Sequence, residues 1–390
     1  MGTDHLKLRE LRDRIAIAGI GLSRFGKLPG VSAMGFALEA GKRALEDAGI
    51  ARDEIDGVLV LMPPVMGEQH GWGSRVAAYL GITPAFCATM DMGGATPIGM
   101  IQTAAMLIHA GMCKAVLCTF GCQNNPQGVI PMLFGSQFSI PYGDIGAITF
   151  MAHVGRRQMH EHGVKSEHYG AIAVAFRKHA ATNPHAQKRE PFTLEDHQQS
   201  RMIVDPLRLL DCCLVTDGGG ACVVTSTERA RDLRQPVCVV KGFGQVHSSE
   251  MIRPWDDGRG GGSEAAETAY RMAGIGPKDI QVVQLYDGFT PLVMHELSAY
   301  GFCTPDEAGP FVAAGNLELG GRLPANTAGG LLSEGHLSGF GHIAEGVRQI
   351  RGTSGSQVPG CEISMITGYG GAPHEPPPTV AYTVAILGKG

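Results

Sequence analysis

Residues 38–60 read "LEAGKRALEDAGIARDEIDGVLV" and residues 264–285 read "EAAETAYRMAGIGPKDIQVVQL". In each, apolar residues at three- and four-residue steps predict an amphipathic helix that stops at a glycine, Gly49 or Gly274. The triplet Ala-Gly-Ile stands at 48–50 and again at 273–275. Five residues after each triplet an isoleucine, Ile55 or Ile280, opens an apolar run of strand length. One such match carries little weight, because helix–turn–strand units are common.

A second pair strengthens the repeat. "GATPIGMIQTAAMLIHAG" (94–111) and "GHLSGFGHIAEGVRQIRG" (335–352) have equal length from first glycine to last. Each predicts a helix that starts at a glycine-rich turn and ends at a glycine. Two related halves follow, 1–240 and 241–390. The first carries an inserted cap at about 122–235, which contains the helical pattern "EHYGAIAVAFRKHAA" and returns to a strand at "GGACVVTS". If a pseudo-twofold relates the halves, the two glycine-started helices point their N-termini at one place, and free N–H groups with positive dipole ends suit a developing oxyanion there.

The composition is that of a globular protein with a large core: 390 residues, 44% hydrophobic and 18% charged. A net charge of -5 offers no basic surface, which argues against nucleic acid or anionic membrane as the main partner. The ten cysteines fall mostly in apolar runs such as "KAVLCTF", where a reduced thiol behaves as a small hydrophobe, so a cytoplasmic address is expected. In "CTFGC", Cys118 and Cys122 have no second ligand pair nearby, and no metal site is expected. No segment carries about 18 uninterrupted apolar residues, so no membrane span is expected. The glycine run "DDGRGGGSE" (256–264) lacks the flanks of a phosphate cradle and reads as a solvent loop.

The stretch "NTAGGLLSEGHLSGFGH" (326–342) gathers two histidines, a glutamate and two serines among glycines. Little side-chain bulk around polar groups lets a ligand approach the backbone closely, and the run reads as a site; the alternative is a flexible surface loop.

Four stretches carry a family resemblance. They are "NPHAQKREPFTLEDHQQSRMIVDPLRLLDCCLVTDGGGA" (183–221), "LYDGFTP" (285–291), "GGLLSEGHLSGFGH" (329–342) and "TGYGGAP" (367–373). Together they resemble the thiolase superfamily, in its branch of sterol-carrier and lipid-transfer thiolase-like proteins, over nearly the whole chain. The resemblance implies a five-layered αβαβα sandwich of two βαβαβαββ halves, a homodimer formed through the first half, and acyl-CoA thioester substrates, with no cofactor besides the CoA of the substrate.

The departures from that family are informative. Its nucleophilic cysteine, at the start of the first-half helix, falls at Gly94; its second cysteine, in a loop near the C-terminus, falls within 366–372, where Tyr369 and Gly371 stand. Where the family has an amide or imidazole, "YDGF" places Tyr286. Only the histidine of the Gly-His-Pro loop is retained, as His336, with Leu337 in place of proline. Cys87 and Cys122 are the thiols that could substitute only in a different register.

Thiolysis needs a nucleophile to hold the acyl group, whereas retro-aldol cleavage needs a base, an enolate hole and a proton donor. The expected roles are Tyr286 or Tyr369 as base, through a lowered pKa or a relay, with the other reprotonating the enolate. His336 donates to the thioester oxygen, Gly94 and Gly371 line the substrate, and Asp287 and Glu334 orient the rest. His342, six residues after His336, is expected to face another side of the helix as a structural residue. The resemblance is nearest to steroid side-chain aldolases that lack the cysteine. It implies a β-hydroxyacyl-CoA cleaved to a ketone or aldehyde plus a short acyl-CoA such as propionyl-CoA, and a small OB-fold (DUF35-type) partner. A thiolase with a displaced cysteine and a noncatalytic acyl-CoA or lipid binder are the alternatives.

Overall fold

A computed structural model describes residues 6–63, 70–123, 140–144, 146–248, 261–372 and 379–390. The part of the glycine run at 256–260 lies outside the described residues. The chain begins with α1 (Leu6–Arg9), β1 (Ile15–Leu22), α2 (Ala33–Ala48), β2 (Gly57–Leu61), α3 (Trp72–Leu80), β3 (Phe86–Met90), α4 (Thr96–His109) and β4 (Ala115–Cys122). Then come α5 (Ala147–His162), α6 (Ser166–Thr182), α7 (Leu194–Gln199) and the hairpin β5 (Met202–Val204) and β6 (Leu207–Arg208). They are followed by β7 (Gly218–Ser226), α8 (Thr227–Ala230), β8 (Cys238–Ser248), α9 (Ser263–Ala273), β9 (Val282–Gln284), α10 (Thr290–Ala299) and α11 (Pro305–Ala313). The chain closes with α12 (Gly330–Ser333), α13 (Phe340–Arg351), β10 (Ile363–Ala372) and β11 (Thr379–Lys389).

The sheet order is β3-β2-β4-β7-β1-β8-β11-β10-β9. On one side of the β1–β8 seam, β2 runs parallel to β3 and β4, and β7 runs antiparallel to β4 and β1. On the other side, β10 runs parallel to β9, and β11 runs antiparallel to β10 and β8. A parallel bridge from Val283 to Ala325 extends this side beyond β9. The series β3-β2-β4-β7-β1 is therefore repeated as Ala325-β9-β10-β11-β8. The division expected at residue 240 falls within β8, which pairs with β11 along its length and with β1 at Cys238 and Val239.

Strand alternation produces the layers. On β2, Val58 and Val60 face an outer core with α2 and α3, whereas Leu59 and Leu61 face a central core with Ile98 and Ile101 of α4 and Ile343 and Val347 of α13. On β10 and β11, Ile366, Ala385 and Leu387 face that same central core, and Met365, Val384 and Ile386 face α9 and α10. Helices α4 and α13 thus lie between two sheet layers, with α2 and α3 outside one and α9 and α10 outside the other. This is the expected five-layered sandwich. Each fully buried aliphatic side chain of the central layer contributes roughly 1.5–3 kcal/mol.

Paired glycines set the helix-to-sheet distance. A Cβ at Gly19 or Gly21 of β1 would lie 2.2 Å from the carbonyl oxygens of Ala44 and Ala40 on α2. A Cβ at Gly242 or Gly244 of β8 would lie 2.2 and 2.0 Å from those of Ala269 and Ala265 on α9. In both halves a Gly-x-Gly strand meets alanines four residues apart on the helix that follows.

The inserted segment gives way to the sheet at β7, before the expected limit of 235. Although it interrupts the first series, α6 packs Tyr169, Ile172 and Phe176 into the core of α10 and α11. The second glycine-started helix also differs from expectation. It begins at Phe340, not near 335, because Ser338 (φ 50°) and Gly339 (φ 91°) form a left-handed turn before it. His336 lies two residues before Ser338, ahead of that turn.

Candidate active site

The N-termini of α4 and α13 converge on the end of β10 and the loop after β9. A Cβ at Gly339 would lie 3.3 Å from the Gly94 carbonyl oxygen, and one at Gly370 would lie 2.0 Å from the Met92 carbonyl oxygen. Thr96 Oγ1 accepts from the Met92 N–H (2.7 Å) and donates to the Gly93 carbonyl (2.7 Å), fixing the turn before α4. Thr383 of β11 donates to the Ala95 carbonyl (3.0 Å).

Tyr286, 6% exposed, fills the space in front of this turn. A Cβ at Gly94 would lie 2.0 Å from the Tyr286 hydroxyl oxygen and 2.2 Å from Cζ. No side chain, a cysteine included, can stand at 94 while Tyr286 holds this rotamer. Close approach, not backbone conformation, requires this glycine.

The structure brings Tyr286, His336 and Tyr369 together. Tyr286 Oη lies 3.4 Å from His336 Nε2, with the rings edge to face at 83° and 6.4 Å between centroids. The Tyr369 ring lies 6.5 Å from that of Tyr286. His336 is partly exposed, and its backbone N–H donates to Thr216 Oγ1 at 2.9 Å. Burial lowers its pKa, partly opposed by its own backbone carbonyl as an acceptor and by Asp287, so the imidazole is neutral near pH 7. A neutral imidazole with its proton on the other ring nitrogen would offer the Nε2 lone pair to the tyrosine.

The expectation of a tyrosine with lowered pKa is overturned. Burial pushes Tyr286 up, and Cys213, Asp287 and Glu296 push it further; burial and Glu296 push Tyr369 up as well. Both are neutral hydroxyls at physiological pH, and the relay is the form of the tyrosine role that remains.

Asp287 is held by the fold. Its carboxylate accepts from Leu331 N (2.9 Å) and Leu332 N (3.1 Å) at the start of α12, and lies 3.0 Å from His342 Nε2. His342 does not face away: its ring stacks on Tyr286 at 6.0 Å and 27°. The spacing argument assumed that both histidines lie on one helix, and His336 does not. Glu334 is buried, accepts from Asn183 Nδ2 (3.0 Å), and is pushed up to about 7 by burial, with Arg348 opposing. Gly371 is exposed and pairs with Val380; a Cβ there would meet the Thr379 carbonyl, so Gly370 is the glycine of this loop that abuts the α4 turn.

Neither candidate thiol is at this turn. Cys87 packs with the outer core of α2 and α3, and a Cβ at Gly73 of α3 would lie 3.2 Å from its sulfur. Cys122 is buried at the end of β4 opposite Gly218, its pKa pushed up to about 12 by burial and Asp217.

Residues 244–382 match the family described as Thiolase C-terminal domain-like. The chain is 40% identical to a steroid side-chain-cleaving aldolase of Thermomonospora curvata over 92% of this chain and 95% of that one. It is 38% identical to a 17-hydroxy-3-oxo-4-pregnene-20-carboxyl-CoA lyase of Mycobacterium tuberculosis, over 93% of this chain and 98% of that one. The chain belongs to the thiolase superfamily, in its sterol-carrier and lipid-transfer branch. A solved structure named "Ltp2-ChsH2(DUF35) aldolase" superposes with a TM-score of 0.87 at 39% identity, covering 97% of this chain and 98% of that one. Within its branch this thiolase-superfamily chain groups with the carbon–carbon lyases.

Sequence reasoning about this superfamily member missed Thr216, His342 as a wall for Tyr286, and Glu296. Thr216 was within a quoted stretch, "VTDGGGA", but nothing in its spacing links it to His336, 120 residues away. Among the described residues no helix is long and apolar enough to cross a membrane.

Proposed function

We propose that the chain cleaves the Cα–Cβ bond of a β-hydroxyacyl-CoA, in which the acyl group is a steroid side chain, to a ketone or aldehyde and a short acyl-CoA such as propionyl-CoA. The observation that carries this reading is the exclusion of any side chain at Gly94 by the Tyr286 hydroxyl. The place of a covalent nucleophile is taken by a neutral proton carrier backed by a neutral imidazole.

In the proposed reaction the β-hydroxyl gives its proton to Tyr286 Oη as Tyr286 passes its own to His336 Nε2. The C–O bond becomes a carbonyl, the Cα–Cβ pair moves into a thioester enolate, Tyr369 protonates Cα, and the proton held by His336 then passes through solvent to the Tyr369 phenolate, restoring both groups. A positioned acid or base of this kind contributes roughly 10²–10⁴ in rate. The N-termini of α4 and α13 face the developing enolate charge. This reassigns His336 from oxyanion donor to base, since its Nε2 faces the tyrosine.

Gly94 and Gly371 are the loop glycines proposed to line the thioester, while Gly370 between them packs on the turn before α4. The relatives' substrate and partner names support a steroid acyl-CoA and a DUF35-type second subunit, and the superfamily resemblance supports a homodimer through the first half. A displaced-cysteine thiolase is the poorer reading. Cys213 packs beside Tyr286, but burial, with Asp287, pushes its thiol up to about 12, leaving no thiolate.

The test is incubation with the CoA thioester of 17-hydroxy-3-oxo-4-pregnene-20-carboxylate, with and without a DUF35-type partner. Ketone and propionyl-CoA should form in equal amounts, with no free CoA required and no loss after iodoacetamide treatment. A strict requirement for free CoA, or an acyl-cysteine detected by mass spectrometry, would reject the reading.

A further inference from the structure

We propose that Glu296 is a positioning residue for this reaction, one buried carboxyl oxygen holding the backbone of Tyr286 and the strand that carries Tyr369 in a single frame. The proposal rests on the reaction assigned above. Glu296 lies on α10 and is fully buried. Its Oε2 accepts from the Tyr286 N–H at 2.9 Å and from the Thr367 hydroxyl at 2.6 Å. Thr367 Oγ1 is itself 2.8 Å from the Tyr286 nitrogen, which closes a triangle of three segments: α10, the loop after β9, and β10. Thr367 and Tyr369 are two residues apart on β10 and share one face of the strand. A shift of Glu296 therefore moves both tyrosines relative to each other.

The other oxygen, Oε1, and the Tyr300 hydroxyl are buried without a hydrogen-bond partner among the described residues, and the two groups act on each other. The groups acting on Glu296 are Thr367 and the Tyr286 backbone, with Asp287 from the loop and Tyr300 from its own helix; Tyr369 and Tyr382 face it from β10 and β11. No cation is among them. A hydrophobic residue of similar volume would fill such a place at lower desolvation cost but would hold neither the Tyr286 N–H nor the Thr367 hydroxyl. The arrangement that buries no charge puts a proton on Oε1, facing Tyr300 Oη, and leaves Oε2 to accept twice. Burial supports this form, pushing the carboxyl up to about 8. Above that pH an anion forms behind Tyr286 and beside Asp287, where it opposes the negative charge of the reaction.

Glutamine reproduces the protonated form: a carbonyl that accepts, and an N–H in place of the O–H. At pH 7, Glu296→Gln should keep kcat within about threefold of wild type, as expected when a hydrogen-bonding pattern is preserved. Wild-type kcat should fall as pH rises through about 8, and Glu296→Gln should remove that decline. Glu296→Ala should lower kcat on the order of 10²-fold with KM little changed, the scale of misplacing a reacting group. Thr367→Val, which removes one of the two donors, should lie between them; it serves as the primary test if the alanine variant does not fold by thermal melting. A wild-type kcat in Thr367→Val and Glu296→Ala, or an unchanged alkaline decline in Glu296→Gln, overturns the proposal. A merely structural role would leave the pH profile in place. If the wild-type chain cleaves no acyl-CoA, the reaction reading fails by itself. The positioning claim is then decided on ¹³C-tyrosine-labelled protein, where the Tyr286 signal should titrate near pH 8 in wild type and not in Glu296→Gln; a flat wild-type signal overturns it.

Discussion

The two halves agree where they carry the scaffold and disagree where they carry the chemistry. The strand–helix pairs β1–α2 and β8–α9 repeat the same device, a Gly-x-Gly strand against alanine carbonyls four residues apart. The helix starts at α4 and α13 occupy related places in the central layer but are unlike. The first is stripped to Gly93-Gly94, and the second is preceded by the loop that carries His336 and holds His342 in its first turn. A duplicated frame can be kept by backbone contacts that tolerate no side chain, while a site at the pseudo-axis becomes asymmetric because one substrate must meet a base from one side and an enolate hole from the other.

Restoring the missing side chain breaks the comparison most severely. Gly94→Cys would put Cβ within 2.0 Å of the Tyr286 hydroxyl oxygen, so the ring must leave its place against His336. Cleavage should drop by about 10³-fold or more, the combined loss of proton transfer and alignment. Steady-state cleavage of the acyl-CoA checks this, and the crystal structure of the variant should show a changed Tyr286 rotamer. Retained activity would mean that Tyr286 is not the proton carrier.

His336→Ala leaves the ring of Tyr286 in place and removes its acceptor. The expected loss is about 10²-fold in kcat, with KM nearly constant, as for loss of a general base. Because burial lowers the His336 pKa, wild-type kcat should decline only below the ordinary histidine range, as the imidazole protonates on falling pH. The alanine variant should lack that acid limb, which a pH–rate profile reads directly.

The scaffold side of the comparison predicts equality. Gly21→Ala and Gly244→Ala each drive a Cβ to 2.2 or 2.0 Å from a helix carbonyl that has no rotamer to yield. Each should destabilise the fold by about 3 kcal/mol or more, the upper end of overpacking costs. Denaturant unfolding of the two variants side by side checks both size and equality. A much smaller loss at one site would show that the repeat is not energetically symmetric.

The layers were legible in the sequence because glycine stops and apolar periods survive in both halves: Gly49 and Gly274 both end their helices in the left-handed conformation. The Gly-x-Gly pairs were equally visible in "IAIAGIGL" and "CVVKGFGQ", but a glycine's closeness to a helix is a fact of packing and leaves no periodic mark. At the site, Gly94, Tyr286, His336 and Tyr369 could be named because they replace or retain recognisable positions. The raised pKa of Tyr286 could not be read, since it comes from burial and from groups on separate segments: Cys213 from the inserted region, Asp287 from the loop, Glu296 from α10. His342 was misplaced for a related reason. A left-handed turn at Ser338 and Gly339 interrupts what the spacing treated as one helix.

The smallest expected effect concerns Glu334, two residues before His336 and on the chemical side of the comparison. Burial raises its pKa to about 7 in the folded chain, against an ordinary value of 4.5. The folded state therefore holds this proton more tightly than the unfolded state. Its contribution to stability is fully present below pH 4.5 and is lost as pH rises through about 7. The loss is no more than about 3 kcal/mol, the linkage limit for a shift of this size, and Asn183 and Arg348 moderate it. Glu334→Gln keeps the shape and removes the titration, so unfolding free energy measured between pH 5 and pH 8 should fall less steeply in the variant than in wild type. No first-half counterpart of this residue stands before α4, where Asp91 is exposed.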